Sequence, residues 1–219
     1  MITETANYYD IVSQLPPGAG VTFQNVSWEE YEELLEQVGE AGWLRISYDE
    51  GTLSVMSVSF KHEVYTRFLE GLLTVLRLRL RINIISSGSA TMRKRKKRKG
   101  KELDAGFYVQ TAALIGKRMD LDFEVDPPPD IAVEIDLHHD SLDKFPIYVA
   151  LGVPEIWRFD GRKLTIYHLQ RSRYVKRDTS LALPLLTSHI LTEYLTRLRT
   201  EGELAALLAF DEWLQQKQT

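Results

Sequence analysis

Residues 127–136 read PPPDIAVEID, and Lys144 follows eight residues later. As a strand over residues 130–137 the stretch alternates. Asp130, Ala132, Glu134 and Asp136 fall on one face, and Ile131, Val133, Ile135 and Leu137 on the other. A half-buried surface strand alternates too, so the pattern alone decides little. What sets this one apart is a face with three carboxylates and no basic residue among them. Such charges repel one another, and a cleft tolerates them only where a metal cation or a lysine offsets them.

A second stretch, residues 102–109, repeats the alternation. Glu102, Asp104, Gly106 and Tyr108 share one face, with Leu103, Ala105, Phe107 and Val109 on the other. If the two strands pair, Asp104 and Glu134 share a face of one sheet about 4.8 Å apart. That separation lets two carboxylates bracket one Mg²⁺, whose oxygen ligands lie at about 2.0–2.1 Å. Gly106 is expected to leave room beside Asp104 for water or a backbone.

The remaining chain reads as alternating helices and strands. Ser27 caps a helix, with Glu30 at the capping-box position, and residues before about Phe23 read as a loosely ordered arm. A hairpin turns at Asp49-Glu50-Gly51. A long helix over about residues 62–81 carries Val64, Phe68, Leu72, Leu76 and Leu80 at four-residue spacing. Glu63 lies in its first turn, where a carboxylate already suits the helix dipole. Asp140 or Ser141 can cap a further helix that Gly152 ends. Strands follow at PEIWRF, KLTIYHLQ and SRYVKR, and residues 188–216 read as helical.

The 219 residues suffice for one domain with a full core. The chain has no cysteine, which excludes disulfides and thiolate metal sites. The opening residues lack a signal-peptide pattern and no apolar run is long enough for a membrane span, so a cytoplasmic protein without membrane contact is expected. The net charge of −4 hides an asymmetry. Arg93, Lys94, Arg95, Lys96, Lys97, Arg98, Lys99 and Lys101 form a basic finger. With those eight set aside, 19 of the 27 basic residues remain against 31 acids, a net of −12. The finger reads either as a solvated loop or as a set of phosphate contacts. His138 and His139 are adjacent, so on a strand they point apart and do not jointly chelate a metal; a polar strand end is the simpler reading. Trp157 and Tyr148 read as core.

The pieces SWEEYEELLE, MSVSFKHE, KELDAGFYV, PPPDIAVEID and DKFPIYVALGVPEIWRFDG, taken together, resemble the restriction-endonuclease family Uma-two of the PD-(D/E)XK nuclease superfamily. The resemblance implies an α/β (α+β) restriction-endonuclease-like fold. Its central mixed sheet would be flanked by helices, with an added N-terminal helix and hairpin and C-terminal helices. The expected parts are an arm over residues 1–24, the nuclease-like domain over 25–185 and a helical extension over 186–219.

Several roles follow from the resemblance. Asp104 matches the acid of the PD motif, with Leu103 in place of the proline. Glu134 matches the second acid, and Asp136 stands where the motif lysine would be. Lys144, on the following helix, stands in for that lysine, and Glu63 matches the acid of the first helix. Mg²⁺, or Mn²⁺, would be held by Asp104, Glu134 and the strand carbonyl near Ile135. The implied activity is phosphodiester hydrolysis in double-stranded DNA by a homodimer. Asp130 reads as structural. Two other function classes stay open: a nuclease fold that binds nucleic acid without cutting it, and a partner-binding domain that uses an apolar face of residues 188–216. The direction of Lys144 relative to Asp104 and Glu134 discriminates the cutting from the non-cutting nuclease fold, and the partner-binding class predicts that apolar face with no metal affinity.

Overall fold

The computed structural model describes residues 7–39, 42–137 and 140–218. In chain order the elements are α1 (Tyr8–Val12), β1 (Gly20–Phe23), α2 (Trp28–Val38), β2 (Leu44–Asp49), β3 (Thr52–Ser57), α3 (Phe60–Leu80), β4 (Ile85–Gly88), β5 (Thr91–Lys94), β6 (Lys99–Glu102), β7 (Ala105–Tyr108), α4 (Ala112–Ile115), β8 (Ile131–Ile135), α5 (Phe145–Leu151), β9 (Glu155–Phe159), β10 (Leu164–Gln170), β11 (Arg173–Arg177), α6 (Ser188–Glu201) and α7 (Glu203–Gln218). A 3₁₀ turn, Leu142–Lys144, leads into α5.

Two sheets organise them. The first is antiparallel, in the order β1-β3-β2-β6-β5. The second is mixed, in the order β11-β10-β9-β8-β7-β4, with β8 and β9 parallel. The second matches the expected central sheet. Its middle strand β8 is buried along its whole length. On one face it packs with α3, α6 and α7 around Phe68, Leu72, Trp157, Leu195 and Phe210. On the other face Ala132 and Ile156 meet Ile147, Tyr148 and Leu151 of α5. The first sheet has its own core with α2, built on Tyr31, Leu44, Ile46, Tyr48 and Leu53.

Local signals explain the boundaries. Ser27 and Glu30 form the reciprocal capping box of α2. Gly152 takes the left-handed conformation that ends α5, and Pro146 sits in that helix's first turn, where its missing N–H costs nothing.

Three expectations are corrected. Residues 102–109 are not one strand: the chain leaves the first sheet after Glu102 and enters the second at Ala105, so Leu103 and Asp104 form the crossing. Residues 7–23 are not loosely ordered. Val12 is fully buried, β1 pairs with β3, and the Ser57 hydroxyl donates to Pro16 O at 2.5 Å. The space beside Gly106 holds side chains, not water. A Cβ there would lie 2.3 Å from Ser87 Oγ and 2.8 Å from Leu103 Cδ1. His138 and His139 lie outside the described residues.

Candidate active site

A cleft of about 360 Å³ opens between the two sheets. Asp104, Glu134 and Ile135 line it from the second sheet and the crossing; Arg45, Ser47, Ser54 and Lys101 line it from the first. β7 and β8 pair Ala105 with Val133, so Asp104 stands one step along the same register, opposite Glu134. The register therefore brings the two carboxylates together, with Asp104 in the crossing just before β7 and Glu134 within β8.

Both are buried, and their partners are cationic. Arg45 Nε lies 3.0 Å from Asp104 Oδ1, and the Ile135 amide donates to Asp104 Oδ2 at 2.7 Å. His62 Nε2 is 3.0 Å from that same oxygen. Burial works to raise the Asp104 pKa, but His62, Lys101 and Arg45 together hold it well below the usual carboxylate range. Glu134 is different. Lys101 Nζ lies 3.2 Å from its Oε1, and the Tyr148 hydroxyl donates to the same oxygen. Burial dominates and pushes Glu134 up to about 7, against the pull of Lys101. Two neighbouring carboxylates are thus held in different ionisation ranges, a pattern that gathers at functional sites.

Lys101 belongs to this floor and not to a surface finger, because its ammonium is buried against Glu134. The rest of the run is a hairpin of the first sheet, and much of it is paired. Arg95 bridges Glu29 and Glu32 at 2.7 and 2.5 Å, and Arg93 lies 3.9 Å from Glu32. Lys99 meets Asp49, Arg98 donates to the Tyr48 hydroxyl, and Lys97 to Ala150 O. Lys94 and Lys96 have no ion-pair partner among the described residues.

Lys144 lines the same cleft, but its ammonium does not rest on the carboxylates. It donates to Ser54 Oγ at 3.1 Å and lies 2.9 Å from the Asp143 carboxylate. Glu63 does not line the cleft. It meets Arg45 Nη2 at 3.2 Å and lies 3.8 Å from His62 Nδ1, and both of those side chains in turn contact Asp104. Asp136, at the motif-lysine position, accepts from the Ser141 amide and hydroxyl at 2.8 and 2.9 Å and pairs with Arg158. Asp130 is structural, as expected: Oδ2 accepts the Val109 and Thr111 amides at 2.7 and 3.0 Å.

Sequence reading missed Arg45, His62 and Tyr148 as site residues, and placed Lys101 in the basic finger instead of beside Glu134. Arg45 carried one signal, a lone base within the apolar strand LRISYD. Lys101 was masked by the seven bases before it.

The donor set is open. Among the described residues no group of three His, Cys, Asp or Glu side chains gathers to hold a metal. Two carboxylates with room above them suit Mg²⁺, which takes one or two protein carboxylates and completes its shell with water and substrate phosphate. His62 stands beside this set, with Nε2 3.0 Å from Asp104 Oδ2 and Nδ1 3.8 Å from Glu63 Oε1. The residues present fit a hard divalent cation.

Comparison with known proteins agrees with this fold. The model of the family Uma2, described as "Putative restriction endonuclease", matches residues 28–199. The crystal structure of a "putative nuclease belonging to DUF820" from Anabaena variabilis superposes with a TM-score of 0.53 at 14% identity. The match covers 78% of this chain and 99% of that one. No curated protein matches the chain.

Proposed function

The chain belongs to the Uma2 family, and from that premise we propose that it is a metal-dependent nuclease hydrolysing phosphodiester bonds, with DNA as its substrate. The observation that carries the proposal is the meeting of Asp104 and Glu134 at the floor of one cleft, with Lys101 on Glu134. Asp104, Glu134 and the Ile135 carbonyl would hold Mg²⁺ or Mn²⁺. Such an ion, when bound, polarises the phosphate and lowers the pKa of a coordinated water.

The chain's own residues divide the remaining work. Arg45 and His62 keep Asp104 ionised and in place. Tyr148 and the Lys101 ammonium fix the Glu134 carboxylate. Lys101 also supplies positive charge where the pentavalent phosphate gains negative charge. In the net reaction, water adds to phosphorus, the bond to the leaving oxygen breaks, and that oxygen takes up a proton. Lys101 takes the role that the resemblance gave to Lys144.

The second reading, a nuclease fold that binds without cutting, is favoured by three observations, the first being that the Lys144 ammonium rests on Ser54 and Asp143 and not on Asp104 or Glu134. Arg45 and Lys101 already neutralise both carboxylates, and Asp136 stands where a lysine is expected. The partner-binding reading loses ground because α6 and α7 bury Leu191, Leu195, Phe210 and Leu214 in the shared core.

The test is cleavage of supercoiled plasmid and of labelled oligonucleotides with Mg²⁺ or Mn²⁺. Wild type is set beside Asp104→Asn, Glu134→Gln and Lys101→Met. Metal-dependent scission lost in all three variants supports the nuclease and its site. Folded wild type that cuts no substrate with either metal overturns it and leaves the binding module.

A further inference from the structure

The first sheet carries one row of polar side chains across four strands. The register pairs Thr22 with Ser54, Ser54 with Ser47, and Ser47 with Lys101. All four line the cleft. With adjacent strands about 4.8 Å apart, the row runs for about 14 Å. It starts at the exposed contact of Thr22 with Ser54, 3.1 Å between hydroxyls, and ends at Lys101, 3.2 Å from Glu134. Thr22 lies on β1, outside the segment that matches the family model.

Across this row stands Lys144. It comes from the turn after β8, on the opposite wall, and reaches Ser54 Oγ at 3.1 Å. The two walls therefore touch across the cleft that the carboxylates line. Asp104 and Glu134 are 4% and 3% exposed at the bottom. A cleft of 360 Å³ lies near the low end of sites that enclose one small molecule, about 300–1,000 Å³. A double helix cannot descend to these carboxylates past the Lys144–Ser54 contact. One strand can, since sugar and phosphate are narrow and offer acceptors to every hydroxyl of the row. Among the described residues no aromatic side chain lines the cleft, so recognition there falls on the backbone.

We propose that the Thr22–Ser54–Ser47–Lys101 row is a track for the backbone of single-stranded nucleic acid, with Lys144 as the phosphate-binding group that clasps the strand against it. Duplex reaches the floor only where it is opened or frayed. Lys144 exchanges its contact with the exposed Asp143 carboxylate for a phosphate. The proposal rests on the nuclease reading of the same cleft, and its test does not depend on cleavage.

Fluorescence anisotropy compares a labelled single-stranded oligonucleotide, as DNA and as RNA, with a blunt, closed-end duplex of the same sequence. Titrations run with Ca²⁺ in place of Mg²⁺, over a range of salt, and gels confirm that the strands stay intact. Single strands are expected to bind at least about tenfold tighter than the closed duplex. Lys144→Gln, which keeps a donor for Ser54 but no charge, is expected to weaken single-strand binding about tenfold. It should also flatten the log–log salt slope by about 0.7, the value of one phosphate contact on a single strand. Thr22→Val and Ser54→Ala weaken single strands and leave the duplex unchanged, with folding checked by circular dichroism. Equal or tighter binding of closed duplex overturns the track, as does single-strand binding indifferent to Lys144→Gln, or no binding of either. Single-strand binding without scission by any metal would retain the track and sink the nuclease.

Discussion

Lys101 Nζ stands 3.2 Å from Glu134 Oε1 beneath both sheets, with each side chain almost wholly buried. The pair joins a strand of the first sheet to the central strand of the second, so it is both a structural tie and the centre of the proposed chemistry. Its dependence on pH has a definite sign. Burial raises Glu134 to about 7, above the value of about 4.3 for an unfolded glutamate. The folded state thus holds this proton more tightly. The contribution of Glu134 to stability is complete below the unfolded value and is lost as pH rises through about 7.

Lys101→Met removes the cation that limits this loss. At about pH 5.5 the neutral carboxyl needs no partner, and the variant should unfold in urea close to wild type. At about pH 8 wild type draws on its paired carboxylate by the one unit by which pH exceeds about 7, so the deficit should approach about 1.4 kcal/mol. A deficit that stays the same at both pH values would refute the pairing as described.

The basic hairpin leads to a second expectation. Arg95 is engaged by Glu29 and Glu32 of α2, whereas Lys94 and Lys96 have no ion-pair partner among the described residues. Removing Arg95 should leave the salt dependence of nucleic-acid binding unchanged. Lys94→Ala with Lys96→Ala should flatten the slope by no more than about 1.4, two single-strand contacts. Anisotropy at several salt concentrations reads this directly, and a larger fall for Arg95→Ala would show that the α2 pairing gives way to phosphate.

Much of the site was legible because alternation is a local property. Ile131 through Ile135 announce a strand, and its period-two pattern, once β7 pairs with β8, sets Asp104 at the end of β7 opposite Glu134. The long helix and the strands after Gly152 were legible for the same reason. Sheet membership is not local. Glu102 and Ala105 continue one alternating pattern, and nothing in that pattern says that the chain changes sheets between them. Lys101 was read as one more base of the finger for this reason: only the placement of the two sheets sets this β6 residue against Glu134. Thr22 and Ser54 are ordinary strand residues until the register sets them in one row.

Gly100 marks where the hairpin crosses the α2 core. A Cβ there would lie 2.2 Å from the Tyr31 hydroxyl oxygen and 2.7 Å from its Cζ. Tyr31 cannot swing aside, since it is fully buried and stacked on Tyr48 at 4.8 Å. Gly100→Ala should cost about 1–3 kcal/mol by overpacking. The Tyr31 hydroxyl has no hydrogen-bond partner among the described residues, so Tyr31→Phe alone should cost little. It should recover part of the loss in the double variant, a coupling that a double-mutant cycle measures in urea. Strict additivity would mean that the two residues do not meet.

Glu155 fastens the segment before α6 to the second sheet. It is fully buried on β9, and its Oε2 accepts the Leu181 and Ala182 amides at 2.6 and 3.1 Å. Its Oε1 accepts the Trp157 indole N–H. Three donors depend on one carboxylate, and Glu155→Ala would strand two amides and an indole out of reach of water. Each orphaned buried group costs about 1–3 kcal/mol, so a loss of about 3 kcal/mol or more is expected. Glu155→Gln keeps one acceptor oxygen and should lose less. Because this tie lies on the far side of the sheet from the cleft-lining residues, nucleic-acid binding by folded Glu155→Gln should match wild type. Urea unfolding and anisotropy on the same samples separate the two effects. A loss of binding that outruns the loss of folded protein would show that the tail and the cleft are coupled through β9.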